Sequence, residues 1–131
     1  MTIDKYKQED GAYVDPSGCH WHDAESFLQG YVLGFCCCGS PSTNLAYVRD
    51  CLLNVAKLCD IRDRTEGRGQ QWEKEYHEWE EERSKLMGNA RYFTLYVLDQ
   101  KGFIEHGGSV GGGWLTDKGK DMLADLEDLL K

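Results

Sequence analysis

The sequence predicts a mainly α-helical domain of about five helices with one small β-hairpin. After residue 22, apolar side chains recur at the three- and four-residue spacing of helix faces. Glycine and proline separate the segments, and near the carboxyl end two short apolar stretches flank a glycine-rich run, the pattern of a hairpin. With 131 residues the chain has room for one core. We therefore expect a single domain over residues 23–131.

Residues 1–22 show no periodicity and contain the turn sequence Asp15-Pro16-Ser17-Gly18, so they predict an irregular amino-terminal arm. Asp23 is then a candidate cap for the first helix, which we expect to end near Gly39 because glycine tolerates positive φ. Its apolar face repeats every four residues: Phe27, Tyr31 and Phe35.

The pair Ser40-Pro41 is typical of a helix cap followed by the first helical residue, and it predicts the start of a long second helix. Residues 61–69 are polar with two glycines and predict a linker. The apolar face of the second helix is Leu45, Val48, Leu52, Val55 and Cys59.

A third helix is predicted over residues 70–87. It carries a thin aromatic stripe and is otherwise charged, so we expect it to be exposed on most of its circumference. The stripe consists of Trp72, Tyr76, Trp79 and Leu86.

Residues 90–101 are apolar over a wide face, which predicts a fourth helix buried on more than one side. Gly102 ends it, and residues 103–106, a flexible tip at 107–113 and a return strand at Trp114-Leu115 predict the hairpin. Thr116 is a candidate cap for the final helix. Its inward positions are Met122, Leu123, Leu126, Leu129 and Leu130.

The run from Tyr96 to Glu105 and the run from Trp114 to Lys120 together resemble the carboxyl-terminal half of winged-helix regulators. In that family a helix ends in leucine, two or three polar residues and Lys-Gly-Leu-Ile-Glu. A hairpin called the wing follows, and Leu-Thr-x-Lys-Gly opens the last helix. The resemblance covers residues 89–131, about a third of the chain. It implies a winged-helix-like arrangement, and we call residues 103–115 the wing.

The charge of the chain argues against the usual DNA-binding function of that family. Its formal net charge is −8, whereas DNA binding depends on cations that neutralise phosphates. The helix before the wing carries only Arg91 and Lys101, and residues 105–117 contain no lysine or arginine. DNA-contacting residues therefore cannot be carried over, although a DNA-binding regulator stays as the alternative hypothesis.

A second resemblance is to a group of small, uncharacterised bacteriophage-encoded proteins. It involves the runs from Gly34 to Pro41, from His106 to Val110 and from Gly112 to Thr116. The group implies expression in an infected bacterial cytoplasm and supplies no activity. The chain has no long apolar run, so we expect no membrane segment and a cytoplasmic location.

The six cysteines raise the possibility of a metal or catalytic site. A tetrahedral zinc site is conceivable from Cys19, His22, Cys36 and Cys38. Their spacing is unusual, and packing of the cysteines as small apolar groups is favoured. Zinc therefore stays only as a further alternative, a zinc-stabilised small module. No catalytic pair has a recognisable spacing, so we expect no enzyme and no other cofactor.

The acidic, aromatic third helix is the best candidate surface, because tryptophan and tyrosine often anchor interfaces. We expect a non-enzymatic adaptor or inhibitor that acts by protein–protein contacts, with homodimerisation as a further option. Acidic surfaces suit basic partners. The predicted contact residues are Glu73, Glu78, Glu80, Glu81, Glu82, Trp72, Trp79, His106 and Trp114.

Overall fold

The structure, a computed structural model, describes residues 1–34, 41–86, 88–108 and 110–131. This part of the chain is mainly helical, with five α-helices and two small antiparallel sheets, which confirms the predicted fold class. The helices are α1 (Ala24–Phe27), α2 (Pro41–Thr65), α3 (Gln70–Ser84), α4 (Gly88–Gln100) and α5 (Asp117–Leu129). The strands are β1 (Tyr13–Val14), β2 (His20–Trp21), β3 (Ile104–Glu105) and β4 (Trp114–Leu115).

The chain divides into two compact units. One comprises Met1–Arg49 together with Asp121–Lys131, and the other comprises Asp50–Lys120. The helices α2 and α5 each contribute residues to both units. The single domain over residues 23–131 stays a prediction.

The amino-terminal residues are more regular than the sequence predicts. A short 3-10 helix spans Thr2–Tyr6, and β1 and β2 form a hairpin in which Tyr13 pairs with Trp21. The Asp15 carboxylate lies inside the turn and accepts hydrogen bonds from the Ser17 amide at 2.9 Å and from Trp21 Nε1 at 2.9 Å. Hydrogen bonds from Ser17 and Trp21 lower the pKa of Asp15 to about 2. The predicted irregular arm is therefore wrong, because its turn sequence closes a hairpin.

An aromatic cluster forms the core of this first unit. Phe27 is fully buried, with the rings of Tyr6 and Tyr13 at centroid distances of 5.1 and 5.4 Å. The backbone amide of Thr2 also donates to the buried Asp125 carboxylate of α5 at 3.2 Å. These contacts hold the amino-terminal residues and α5 together within the unit.

The first helix begins as predicted but ends earlier. The Asp23 carboxylate accepts a hydrogen bond from the Ser26 amide at 2.8 Å and caps α1, which continues as a π-helical turn over Leu28–Val32. Gly34 has a φ of 71°. The predicted end near Gly39 is therefore wrong, because Gly34 already adopts the left-handed conformation. Gly39 and Ser40 lie outside the described residues.

In the second unit, α2 and α3 run antiparallel. Arg64, near the end of α2, forms an ion pair with Glu75 in the first half of α3. Lys57, earlier in α2, forms one with Glu82 near the end of α3. The helix α2 starts at Pro41 as predicted and continues to Thr65, so part of the predicted linker is helical. The turn to α3 follows in residues 66–69, where Gly67 and Gly69 have positive φ.

The wing forms a hairpin at the predicted position. In the β3–β4 hairpin Ile104 pairs with Leu115, and the Thr116 hydroxyl accepts from the Gly119 amide at 3.0 Å, which caps α5 as expected. The tip is more ordered than predicted, since Val110–Gly112 forms a 3-10 turn that packs against α4. The reason is the side chain of Val110, the branched apolar residue of the tip, which is buried. Ser109 lies outside the described residues.

Candidate protein-binding surface

The aromatic stripe of α3 faces the protein's own core. Trp79 is 1% exposed and packs with Leu58 and Ile61 of α2, while Trp72 and Tyr76 are partly buried against the same cluster. The Trp79 indole Nε1 donates to the Asn54 carbonyl oxygen at 2.8 Å. Because its ring and its donor are both used internally, Trp79 does not belong to the candidate surface. Trp72 contributes at most an edge.

The predicted acidic residues remain on the outside of α3. Residues 70–84 carry six glutamates against Lys74 and Arg83. Four of the five predicted glutamates are exposed and Glu80 is half-buried. The exposed four are Glu73, Glu78, Glu81 and Glu82. The structure thus brings the predicted glutamates onto one helix that presents mainly negative charge to solvent.

Some of these carboxylates are engaged within the protein. Glu82 forms an ion pair with Lys57 of α2, and Glu80 lies 3.9 Å from Arg83. His77 Nε2 lies 3.6 Å from Glu81. Among the described residues, no lysine or arginine forms an ion pair with Glu73 or Glu78. These two are the carboxylates most available to an external cation.

A sixth glutamate, Glu75, has a structural role. Its Oε1 lies 2.9 Å from Arg64 Nη2, and Arg64 Nε lies 2.9 Å from Asp60. The hydrogen bond that Arg64 donates lowers the pKa of Glu75, and the acceptor carboxylates of Glu75 and Asp60 raise the pKa of Arg64. This ion pair joins α2 to α3 and leaves Glu75 committed to the fold.

A groove lies beside the carboxyl-terminal end of the acidic helix. Its volume is about 460 Å³, and Leu53 in it is 41% exposed. The Lys57–Glu82 ion pair belongs to its lining, so Glu82 is shared by the groove and the acidic face. The lining residues are Asp50, Leu53, Asn54, Lys57, Glu82, Lys85 and Leu86. No sequence pattern predicts this groove, because its lining combines residues of α2 with residues at and after the end of α3.

The fourth helix differs most from its prediction. Tyr92, Phe93 and Tyr96 are 49%, 75% and 55% exposed, so α4 is not buried on more than one side as expected. Its buried side consists of Arg91, Thr94, Leu95 and Leu98. Arg91 Nη2 donates to Asn54 Oδ1 at 3.1 Å. The buried residues are spaced three or four apart, as on one face of a helix. The sequence does not show which face is buried, because apolar residues lie on the other faces as well.

The wing contributes one exposed and one partly enclosed side chain. Trp114 is 41% exposed. His106 Nε2 lies 3.3 Å from Asp99 Oδ2, and Nδ1 lies 3.0 Å from the Gly107 carbonyl oxygen. The imidazole is therefore engaged at the base of the wing, and Trp114 is the more accessible of the two predicted contacts.

Comparison with known proteins supplies no relative. No protein-family model, no curated protein and no solved structure matches the chain. The chemistry of the exposed side chains is therefore the basis for assigning a function.

The zinc hypothesis stays a prediction. Cys19 is exposed, as is His22, whose Nε2 contacts Asp23 Oδ2 at 3.0 Å. Cys36 and Cys38 lie outside the described residues. Within the described ranges, no three His, Cys, Asp or Glu side chains come together as a metal site. In the same ranges, no helix is long and apolar enough to span a membrane.

Proposed function

We propose that this protein is a non-enzymatic protein-binding module, an adaptor or inhibitor, whose α3 helix binds a basic surface of a partner protein. The observation that supports this most directly is the division of α3 into two sides. Its aromatic residues pack inward on α2, while exposed carboxylates, including Glu73 and Glu78, face solvent. Packing on α2 thus stabilises the helix, and its exposed carboxylates are accessible to a partner.

Several carboxylates on one rigid helix suit electrostatic recognition. Residues three and four apart are neighbours on a helix surface, so Glu78, Glu81 and Glu82 form one negative patch. Such a patch accelerates association with a basic partner and disfavours acidic ones. It also repels nucleic acid, which carries the same sign of charge.

The two resemblances suggest a context for the proposed function. If the chain is phage-encoded, its partner is a host or phage complex, and an acidic module suits the basic, nucleic-acid-facing surface of such a complex. In this proposal the winged-helix-like arrangement serves as a scaffold for protein contacts, with Trp114 of the wing as a second contact residue.

A DNA-binding regulator is the second candidate, favoured by the hairpin over residues 104–115. The surface of α4, the helix before the wing, argues against DNA binding. The side of α4 that faces solvent carries Tyr92, Phe93 and Tyr96, and Arg91 is 4% exposed. A DNA-reading helix would instead direct cations outward to phosphates and base edges.

The test is an affinity capture from the native host with the full chain and a variant combining Glu73→Gln, Glu78→Gln and Glu81→Gln. We expect the wild-type chain to retain a protein that the variant releases, with binding that weakens as salt rises. The matched control neutralises three exposed acids elsewhere: Glu9→Gln, Asp121→Asn and Glu127→Gln.

The outcome depends on which molecule is captured and which variant loses it. Equal loss in the control variant would contradict the assignment to α3, because total charge alone would then explain binding. Capture of nucleic acid with a steep salt dependence would support the DNA-binding alternative instead.

A further inference from the structure

We infer that the groove between α2 and α3 accommodates an apolar side chain from a basic segment of the partner protein. This inference rests on the proposed function, because the acidic face of α3 supplies the charge that selects a basic segment. It adds a defined binding site to that function: an apolar side chain of the partner lies in the groove, and lysine or arginine side chains of the partner lie beside it.

The groove has the size and lining for one anchoring side chain. Its volume of about 460 Å³ falls within the roughly 300–1,000 Å³ of typical binding pockets. Leu53 and Leu86 provide apolar surface, and Leu53 leaves 41% of its surface open to water. An apolar side chain placed here would remove that surface from water, which is favourable.

Internal bonds hold residues of both walls of the groove. Asn54 accepts hydrogen bonds from Trp79 and from Arg91, and Lys57 pairs with Glu82. A preformed site spends little free energy on ordering when it binds. The groove is therefore suited to take a side chain without a change of fold.

Charge complementarity identifies the occupant. Glu82 lines the groove, and Glu78 lies one helical turn before it with no lysine or arginine paired to it among the described residues. Inside the groove, Lys57 and Lys85 balance the acids Asp50 and Glu82, so the lining has no net charge to attract a cation. An apolar side chain fits the groove and a neighbouring lysine or arginine fits Glu78. The partner segment is therefore basic with an apolar anchor.

The exposed aromatic side of α4 is the competing location. Phe93 is more exposed than Leu53, but it projects from a single helix and is not part of the groove lining. It therefore provides a matched control, an exposed apolar residue of the same unit whose removal should leave anchor binding intact.

The experiment compares two fluorescein-labelled peptides of twelve residues with the full-length chain at low salt. Both carry the same lysines on an alanine background, and one has leucine at a central position where the other keeps alanine. We expect the leucine peptide to bind about fivefold more tightly, as partial burial of one leucine side chain allows. Fluorescence anisotropy measures both dissociation constants.

Three variants locate the effect. Leu53→Ser should remove the leucine advantage and leave alanine-peptide binding unchanged, whereas Phe93→Ser should preserve the advantage. Glu78→Gln with Glu81→Gln should weaken both peptides by the same factor. Thermal unfolding checks that Leu53→Ser folds. A further variant, Lys85→Glu, gives an independent readout: it should let the groove accept a cation, and the alanine peptide should then bind more tightly.

The results separate the two proposals. If both peptides bind equally, or if Phe93→Ser abolishes the advantage, the groove assignment is overturned while the acidic-face function stands. If neither peptide binds the wild-type chain, the proposed function itself fails and the groove assignment fails with it.

Discussion

The helices α3 and α4 follow one another in the same unit, yet they divide charge and aromatic residues between core and surface in opposite ways. In α3 the buried side chain is Trp79 and the exposed ones include Glu78. In α4 the buried side chains include Arg91, while Phe93 is 75% exposed. Both buried side chains donate a hydrogen bond to Asn54: Trp79 to its backbone carbonyl oxygen and Arg91 to its side-chain Oδ1.

This contrast shows that a buried position can hold an arginine that donates a hydrogen bond, as Arg91 Nη2 does to Asn54. It also leaves Tyr92, Phe93 and Tyr96 of α4 largely exposed to solvent. Large apolar side chains left on a surface commonly mark contact sites. The described part of this unit thus presents charge on α3 and aromatic surface on α4.

The largest expected effect is from Trp79→Ala. Loss of this buried ring should lower the free energy of unfolding by about 3–5 kcal/mol, whereas Phe93→Ala should change it by less than about 0.5 kcal/mol. Urea denaturation measures both. If Trp79→Ala prevents folding, Trp79→Phe provides a milder version with a smaller loss. Equal effects of Trp79→Ala and Phe93→Ala would contradict the burial difference on which the comparison depends.

An intermediate effect is expected from Arg91→Met. The substitution keeps an aliphatic side chain but removes the hydrogen bond to buried Asn54, which should cost about 1.5–3 kcal/mol. Lys74→Met, an exposed cation of α3, is the control and should be near neutral. The same urea titration measures them. A neutral Arg91→Met would mean that α4 does not depend on its buried arginine.

The smallest effect concerns pH and the ion pair of Glu75 with Arg64. Because this pair lowers the pKa of Glu75, its contribution to stability is present above the ordinary glutamate pKa and is lost as pH falls through the lowered value. Glu75→Gln should therefore be less stable than wild type at pH 7, and the gap should close in acid. Glu78→Gln, which removes no such pair, should show no gap of this kind. Thermal unfolding across the acid range tests both.

Local signals explain which parts of the fold were predictable. Asp23 and Thr116 cap helices through hydrogen bonds to backbone amides a few residues away, Pro41 is the first residue of α2, and each has its predicted position. The hairpin of residues 13–21 escaped prediction, because strands of two residues are too short to show alternation. The orientation of α4 escaped it as well, since nearly continuous apolar sequence defines no single face.

The candidate site was predictable in its charge but not in its shape. Exposure of Glu73, Glu78 and Glu81 follows from their position on a helix whose aromatic stripe turns inward, and that pattern is visible in the sequence. Burial of Trp79 against Leu58 and the existence of the groove depend on a neighbour 20 or more residues away. The periodicity of a single segment does not show which distant residues it will pack against.

Glycines in the wing and at the start of α5 set limits on how the wing can be engineered. A Cβ atom on Gly119 would lie 1.9 Å from the Phe103 carbonyl oxygen, and one on Gly113 would lie 2.2 Å from that of Glu105. At Gly107 and Gly108 a Cβ atom would meet nothing within 4 Å. A randomised library of binders built on this scaffold should therefore diversify positions 107 and 108 and keep Gly113 and Gly119 unchanged.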